Sequence, residues 1–519
     1  MKKVKGRVWN VSVFFALLWG IFVFLYSTNR GMGVSPDSVV YIEAAQNLAK
    51  GKGLVTSAIK SDVLTIDFYA PLYPFLLASG ELLGIAPLSM AKVMNLLFWC
   101  ATILLLGVVL KELTSSPFLL PVVSFAVASF PNMLRIYTMA WTEGCFITFG
   151  ILAYLFFLKY IRTEKRGRLF TAALSVGIAF LCRYAGIVLI ITGILGIFVL
   201  LENSVFDRFR KAFWFAVISS VPTALWLFWK FMQGKGMAQR KFVFHPLSFG
   251  HLVDLKMTVE SWLVPSVLPD VLKNSIFIIY VAFFLFCTIW LFKGKFSTDK
   301  GIDGIKLQIY FSALYLAFLF VSISFFDAHI PLDNRILSPL WISLFVVSVY
   351  FLWRIYRRIK KARFLRIVFL ACLSTFVTLN FVRTLKLSVL FHSEGQGYNS
   401  KVWRESRLLK LLEASFSDKD IYSNAPEVVY FLLKRPATML PCKQSPMTLL
   451  PGQQFIEKYN EMLSDVRSGK SVIVYFDRIS WRWYLPSKKE LMENTYMFPV
   501  EVEGEGTIFK ANEQLPVSN

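Results

Sequence analysis

The sequence predicts an all-α polytopic membrane domain with about eleven transmembrane helices, followed by a small C-terminal α/β domain. The chain has 519 residues, of which 56% are hydrophobic and 16% aromatic. Charged residues make up only 17%, whereas soluble domains contain roughly 25%. Several apolar runs are long enough for a helix to cross a bilayer core of about 30 Å, which takes about 20 residues. These observations together exclude an ordinary soluble protein.

The apolar runs define a membrane domain over residues 1–382, with a first outer loop at 27–90 that contains interfacial helices. The apolar segment Pro71–Leu83 has too few residues for a span and is interpreted as an interfacial or re-entrant helix. The predicted spans are Trp9–Tyr26, Ala91–Leu110, Pro117–Arg135, Gly144–Ile161, Leu169–Leu181, Ile187–Leu201, Phe213–Phe231, Ser275–Phe292, Leu307–Phe325, Leu337–Trp353 and Leu365–Val382.

Basic residues set the predicted orientation. The segment Ser27–Arg30 lacks the small residues of a cleavage site, so the first span is interpreted as an uncleaved signal anchor. Cytoplasmic connections are rich in Lys and Arg, as at Lys159–Arg168 and Arg208–Lys211. The N-terminus is then cytoplasmic. An odd number of spans places Arg383–Asn519 on the extracytoplasmic side of the cell membrane (plasma or inner). An error of one span would instead place this tail in the cytoplasm.

The net charge of +23 is explained by basic clusters between spans. We expect no nucleic-acid partner, because such binding needs a basic soluble face. The sequence contains no CxxC motif and no His/Cys cluster that would indicate a metal site. No cofactor is therefore predicted, although the sequence does not exclude a divalent metal. The cysteines in or beside apolar segments are interpreted as small hydrophobic residues; they are Cys100, Cys145, Cys182, Cys287 and Cys372.

Residues 383–519 differ in composition from the spans and are predicted to form an extracytoplasmic α/β domain. Roughly 130 residues suffice for a small domain of this kind. The sequence predicts a helix at Val402–Phe416 and strands at Asp420–Ser423 and Ser471–Phe476.

The first outer loop contains a clear helix signal. Pro36 stands at the helix start, with Ser35 or Asp37 as its cap, and Gly51 and Gly53 end the helix. Asp37 therefore lies at the N-terminal end of a helix at the membrane surface. It is either a cap stabilised by the helix dipole or a general base that removes a proton from an acceptor hydroxyl or amine.

The same predicted face carries further polar segments. Glu143 begins the fourth span, where a carboxylate is costly unless it faces a partner or a polar cavity; helix stabilisation is the simpler explanation. Arg183 lies between two short spans and either snorkels or binds phosphate or carboxylate. Asp333 and Arg335 form a local ion-pair network or bind a lipid phosphate. The segment Pro71–Pro74 is interpreted as a stiff turn into the interfacial helix.

The order of these motifs resembles the GT-C glycosyltransferases, in particular the bacterial and archaeal branch related to dolichyl-phosphate-mannose protein mannosyltransferases and the aminoarabinose lipid A transferase. The resemblance covers most of residues 1–345 and extends to Tyr422–Pro426 in the tail. It rests on Asp37, Ser38, Tyr41, Ala44, Ala45, Leu48, Gly51, Gly53, Pro71–Pro74, Leu83, Gly84, Thr142, Glu143, Arg183–Gly186, Arg335 and Pro339.

The resemblance implies a membrane glycosyltransferase that moves a sugar from a polyprenyl-phosphate donor to a lipid, glycan or protein acceptor, with inversion at the anomeric carbon. It implies Asp37 as catalytic base and Glu143 as a supporting catalytic residue. Arg183 and Arg335 would bind the donor phosphate, since arginine forks suit phosphate and the leaving phosphate needs cationic stabilisation. The other implied substrate-binding residues are Ser38, Tyr41, Tyr73, Tyr184 and Asp333.

Ser38 is a departure from the family pattern. Mannosyltransferases of the eukaryotic type usually carry a second acid at this position, which argues against protein O-mannosylation as such. Two other function classes stay open. A transporter or lipid flippase would favour inverted repeats and ionisable residues near span centres, whereas the centres here are almost purely apolar. A non-catalytic scaffold would bind a partner through its tail, and Asp37 would then be replaceable.

Overall fold

The computed structural model describes residues 2–61, 64, 66–233, 242–293, 300–359, 361–452, 454–493 and 497–512. The helices are α1 (Lys2–Ser27), α2 (Pro36–Ala49), α3 (Leu72–Leu82), α4 (Pro87–Thr114), α5 (Leu119–Ala128), α6 (Pro131–Thr138), α7 (Glu143–Thr163), α8 (Arg166–Cys182), α9 (Ile187–Leu200), α10 (Val205–Met232), α11 (Phe249–Leu263), α12 (Asp270–Lys293), α13 (Lys300–Phe325), α14 (Ser338–Ile359), α15 (Arg363–Glu394), α16 (Lys401–Arg404), α17 (Arg407–Ser415), α18 (Pro426–Leu433), α19 (Phe455–Arg467) and α20 (Lys488–Met492). The strands are β1 (Ile59–Lys60), β2 (Asp420–Ser423), β3 (Ala437–Met439), β4 (Ser471–Phe476), β5 (Met497–Val502) and β6 (Gly506–Ala511).

The chain is a multi-pass membrane protein. Within the described ranges, eight helices are long and apolar enough to cross a bilayer: α1, α4, α7, α10, α12, α13, α14 and α15. Each coincides with a predicted span. The helices at the fifth and sixth predicted spans, α8 and α9, have 17 and 14 residues. The count of eleven crossings therefore stays a prediction.

The third predicted span, Pro117–Arg135, is not one straight helix. It consists of α5 and α6, which are bent by 64° across a short break. Pro131 is the first residue of α6, and proline cannot donate the backbone hydrogen bond that would continue α5. The pair counts as a ninth candidate span if both halves belong to one crossing. The bend directs the end of α6 toward the first outer loop.

Helices near the centre of the bundle differ from those at its edge. In α7, 61% of the apolar window is buried within the protein, whereas only 11% is buried in α12. The exposed side chains of α12 include Ile278, Ile279 and Phe286. Exposed apolar side chains of this kind fit a lipid environment, where a helix satisfies its own backbone hydrogen bonds.

The tail contributes five strands to a six-stranded sheet with the order β1-β3-β2-β4-β6-β5. Strands β1, β3, β2 and β4 are parallel, and β6 and β5 are antiparallel additions. The predicted strands at Asp420–Ser423 and Ser471–Phe476 are confirmed. The predicted helix at Val402–Phe416 is divided into α16 and α17, because Ser406 starts a new helix by accepting a hydrogen bond from the Leu409 amide.

Strand β1 comes from the first outer loop and not from the tail. Ile59 pairs with Ala437, and Lys60 pairs with Thr438. The sheet is therefore completed by a segment nearly 380 residues away in sequence, as the Ser61 hydroxyl contact with Met439 also illustrates. The boundary at residue 383 stays a prediction.

The residues just before α2 are held between two other segments, an arrangement we name the loop clasp (33–34 with 138–140 and 396–398). Gly33 forms a parallel bridge with Met139, and Val34 forms one with Gly397. The Tyr398 amide donates to the Val34 carbonyl at 2.8 Å. Gly397 has φ +56°, and a Cβ there would lie 2.0 Å from the Val34 oxygen. Only glycine permits so close an approach.

Candidate active site

The N-terminus of α2 is capped by Ser35 and not by Asp37. The Ser35 side chain accepts from the Ser38 amide, and the Ser38 hydroxyl accepts from the Ser35 amide at 3.1 Å. This reciprocal pair is a capping box, which satisfies two backbone donors. The Trp141 indole also donates to the Ser35 hydroxyl at 2.8 Å. Asp37, in the first turn, is therefore free to point its carboxylate elsewhere.

Four of the predicted site residues meet in one group, which we name the charged cluster (Asp37, Glu143, Arg183 and Arg335). Arg335 Nη1 lies 2.5 Å from Asp37 Oδ2, and Arg335 Nε lies 2.6 Å from Glu143 Oε1. Arg183 Nη1 contacts the same Glu143 oxygen. The four residues come from α2, the start of α7, the end of α8 and the segment before α14, so only the tertiary fold unites them.

The charged cluster is closed on one side and open on the other. The Glu143 side chain is only 1% exposed, whereas those of Asp37, Arg183 and Arg335 are 22%, 20% and 19% exposed. Two formal negative charges balance two positive ones. The carboxylate of Glu143 is thus buried, and the other three side chains are partly exposed, so a ligand could contact them.

A short turn fixes the position of Arg335. Asp333 Oδ1 accepts from the amides of Arg335 and Ile336 at 3.0 and 2.9 Å. The Arg335 guanidinium lies over the Trp141 ring, 4.6 Å from its centroid, a cation–π contact that favours a fixed orientation. Burial raises the pKa of Asp333. Asp333 therefore stabilises the turn, because its Oδ1 accepts from two backbone amides.

Asp37 is held in its ionised form. Burial raises the pKa of its carboxyl group, but the charge of Arg335 and the hydrogen bonds from Tyr69 and Arg335 outweigh burial, so the pKa lies below its usual value. The Tyr69 hydroxyl donates to Asp37 Oδ1 at 2.6 Å. Both carboxylate oxygens therefore have partners. Favourable charges and hydrogen bonds to the ionised form lower a pKa in this way.

Three tyrosine rings pack beside Asp37, and we name them the aromatic wall (Tyr41, Tyr69 and Tyr73). Tyr41 packs edge-on against Tyr69 and Tyr73, with centroids 5.1 and 5.6 Å apart. Tyr73 is fully buried, and its hydroxyl lies 3.5 Å from the side-chain oxygen of Asn95. Tyr73 thus forms the back of the aromatic wall, whereas Tyr41 and Tyr69 stand next to the charged cluster. Burial raises the pKa of the Tyr41 and Tyr69 hydroxyls, so both stay protonated.

Tyr184 follows Arg183 directly and bonds to the segment that carries Tyr69. Its hydroxyl donates to the Tyr69 carbonyl at 3.3 Å and accepts from the Trp226 indole at 3.4 Å. Nearby, Lys230 donates to the carbonyl of Asp67 at 2.9 Å and pairs with its carboxylate at 3.1 Å. These contacts attach the segment that carries Tyr69 to α10.

The predicted site residues occupy different parts of this arrangement. The fold brings Asp37, Glu143, Arg183 and Arg335 into contact and places Tyr41, Tyr184 and Asp333 beside them. Ser38 is fully buried in the capping box, and Tyr73 lies at the back of the aromatic wall. The residues that sequence reasoning missed are Tyr69 and Trp141. Tyr69 precedes the predicted turn at Pro71–Pro74, and Trp141 precedes Glu143, but no local pattern indicates that they contact Asp37 and Arg335.

The described residues contain no group of three or more His, Cys, Asp or Glu side chains that could hold a metal ion. The two carboxylates of the charged cluster are engaged by arginine instead. The expectation of a cofactor-free site stays a prediction.

No protein-family model matches the sequence, and no curated protein matches it. Solved structures match the fold over nearly the whole chain, and two of them are described next. ArnT from Cupriavidus metallidurans, an aminoarabinose lipid A transferase, in its apo state has a TM-score of 0.50 and 14% identity, with 98% of each chain covered. The oligosaccharyltransferase AglB from Archaeoglobus fulgidus, in complex with an inhibitory peptide and a dolichol-phosphate, has a TM-score of 0.58 and 11% identity. That match covers 99% of this chain and 75% of AglB. The chain therefore has the GT-C fold that ArnT and AglB share, as the order of its motifs predicted.

Proposed function

We propose that this protein is a membrane glycosyltransferase that moves a sugar from a polyprenyl-phosphate donor to an acceptor at the extracytoplasmic face. One observation carries the proposal: two arginines converge on Asp37 and Glu143 at the ends of four different segments. Charged side chains clustered at helix ends suit a lipid head group at the membrane surface. A transporter would instead need ionisable groups near the middle of its spans.

Arg183 and Arg335 are suited to bind the donor phosphate. Guanidinium groups bind phosphate oxygens in a bidentate manner and stay charged at all relevant pH values. Both arginines are partly exposed and now share the same oxygen of Glu143. A donor phosphate would compete with the carboxylates for these donors. It would also be held while it leaves, which stabilises the charge that develops on it.

Asp37 is suited to act as the base. As the phosphate draws Arg335 toward itself, Asp37 loses the charge that most strongly opposes the effect of burial on its pKa. Its carboxylate then becomes more basic and accepts the proton of the acceptor hydroxyl or amine. The acceptor attacks the anomeric carbon while the bond from that carbon to the phosphate oxygen breaks, and the electron pair leaves with the phosphate. Attack from the opposite side inverts the anomeric configuration.

The solved structures support the donor class. The AglB complex contains a dolichol-phosphate, which is a polyprenyl monophosphate, and AglB has the same fold. Identity of 11% transfers the fold and not the substrate, so the donor of this protein rests on the charged cluster. The acceptor in our proposal is a lipid, a glycan or a protein segment.

The donor class can be tested in proteoliposomes that contain the purified protein. A panel of hexoses and pentoses linked to polyprenyl monophosphate is compared with the same sugars linked to nucleotides, with a membrane extract as the source of acceptors. We expect transfer from at least one polyprenyl-monophosphate sugar and inverted configuration in the product. Transfer directly from a nucleotide sugar, with no use of the lipid-linked forms, would refute the proposal.

The proposed face has its own test. A reporter that is active only in the cytoplasm is fused after Glu394, the last residue of α15. We expect no reporter activity there, and we expect activity when the same reporter is inserted between α7 and α8. Cytoplasmic activity after Glu394 would place the tail on the cytoplasmic side, together with the first outer loop that β1 and the loop clasp join to it, and would refute the proposed face.

A further inference from the structure

We propose that Cys145 and Cys182 form a disulfide that fastens the outer ends of α7 and α8 beside the charged cluster. The two sulfur atoms lie 2.7 Å apart, and a disulfide needs them at about 2.05 Å. Cys145 and Cys182 are 0% and 1% exposed. Two thiols in such contact, on segments that run antiparallel, need only a small approach to become bonded.

The position of this pair connects it to the site. Cys145 lies two residues after Glu143, and Cys182 directly precedes Arg183. The Glu143 carboxylate binds Arg183 from across the same junction. A bond between the two sulfurs would fix the separation of the two backbones that carry this ion pair.

The inference rests on the proposed extracytoplasmic position of the charged cluster, because disulfides persist in oxidising compartments. Both thiols are buried in the folded protein, so the bond would form while the α7–α8 hairpin is still exposed during insertion. The oxidant is a disulfide-bearing thiol oxidoreductase. Its disulfide accepts two electrons and two protons from the cysteines through a mixed disulfide, and it leaves as two thiols. Cys145 and Cys182 are positioning residues and take no part in the transfer itself.

The test traps thiols in membranes from cells grown without added reductant. The protein is acid-quenched, denatured in detergent and alkylated before and after reduction, and its peptides are analysed by mass spectrometry. We expect Cys145 and Cys182 to be alkylated only after reduction, whereas exposed Cys372 is alkylated at once. Alkylation of both buried cysteines without reduction would overturn the proposal, since denaturation removes any protection by burial.

Serine variants of the two cysteines provide a second, independent measurement of the proposed disulfide. Cys145→Ser should make Cys182 reactive without reduction, and Cys182→Ser should do the same for Cys145; Cys100→Ser is the control and should change neither. Transfer should fall about tenfold in either single variant, as expected from slight misplacement of site groups, and no further in the double variant. Because thiol trapping needs no activity, its failure is distinguishable from failure of the proposed function.

Discussion

The guanidinium of Arg335 holds the carboxylate of Asp37, with Nη1 2.5 Å from Oδ2. This pair joins a helix of the first outer loop to the segment before α14, nearly 300 residues later in the chain. It also explains why the Asp37 carboxyl group can be both partly buried and ionised. The central consequence is a carboxylate whose basicity depends on what Arg335 binds.

Replacing Arg335 by lysine should reduce transfer by about 100-fold, the usual loss when one preorganised donor to a developing anion is removed. Lysine keeps the positive charge but cannot contact Asp37 and Glu143 with two fixed nitrogens. The measurement is kcat/KM with the lipid-linked donor. Arg363→Lys, at an exposed position at the start of α15, is the matched control and should retain wild-type activity. Equal activity of the two variants would exclude a phosphate-binding role for Arg335.

Removing the Tyr69 hydroxyl should shift the acid limb of the pH profile. The hydrogen bond from Tyr69 lowers the pKa of Asp37, so Tyr69→Phe raises that pKa and activity is lost at a higher pH than in the wild type. The measurement is kcat/KM against pH, with Tyr459→Phe in the tail as control. An unchanged acid limb in Tyr69→Phe would contradict the assignment of that limb to Asp37.

The same shift has a consequence for stability. A carboxyl group whose pKa is lowered in the folded state stabilises that state above its unfolded pKa of about 3.9, and this contribution is lost as the pH falls through the folded pKa. The thermal midpoint of the detergent-solubilised wild type should therefore decline in acid. Asp37→Asn should decline less, because it lacks this titration.

Glu143→Gln should be strongly destabilising. Glu143 is 1% exposed and is bound by two arginines. Its neutralisation leaves the charged cluster with one uncompensated positive charge, because only Asp37 remains to balance Arg183 and Arg335. We expect a loss of roughly 2–4 kcal/mol in the free energy of unfolding, toward the low end for broken buried pairs because both arginines are partly exposed. Denaturant titration in mixed micelles measures it. Adding Arg183→Gln should recover part of the loss, and a double variant with purely additive losses would argue against coupling.

The loop clasp can be tested with alanine variants of two glycines that both have positive φ. Gly397 and Gly504 both have positive φ, but a Cβ at Gly504 meets nothing within 4 Å, whereas one at Gly397 meets the Val34 oxygen. Each alanine variant should lose about 1–2 kcal/mol for the left-handed backbone. Gly397→Ala should lose about 1–3 kcal/mol more through overpacking and should also reduce transfer. Equal losses of stability in the two variants would mean that the loop clasp accommodates the Cβ at position 397 with no added loss of stability.

Local patterns predicted the membrane helices and the helix that carries Asp37 well. Apolar runs located α4, α7 and α14, and Pro36 with Gly51 marked both ends of α2. The break at Pro131 was also readable in principle, because proline interrupts a helix, yet the continuous apolar run concealed it.

The parts that sequence could not predict are the long-range contacts. β1 has two residues, too few for any alternating pattern, and it is a strand only because β3 lies beside it. Likewise, Tyr69 lies 32 residues from Asp37, and nothing in its neighbours indicates that it donates to that carboxylate. Ser38 was predicted from the resemblance to bind substrate, but its hydroxyl accepts from the Ser35 amide, a contact that only the folded turn reveals.

The measurement that tests the central claim most directly is single-turnover transfer by Asp37→Asn with a saturating polyprenyl-monophosphate sugar. Asparagine has nearly the same shape and can still accept from Tyr69, so folding and donor binding should be retained. Asp254→Asn, at an exposed position of α11, serves as control. The account predicts that Asp37→Asn transfers sugar more slowly than the wild type by a factor of about 100 or more, the loss expected for a general base. A wild-type rate in Asp37→Asn would contradict it.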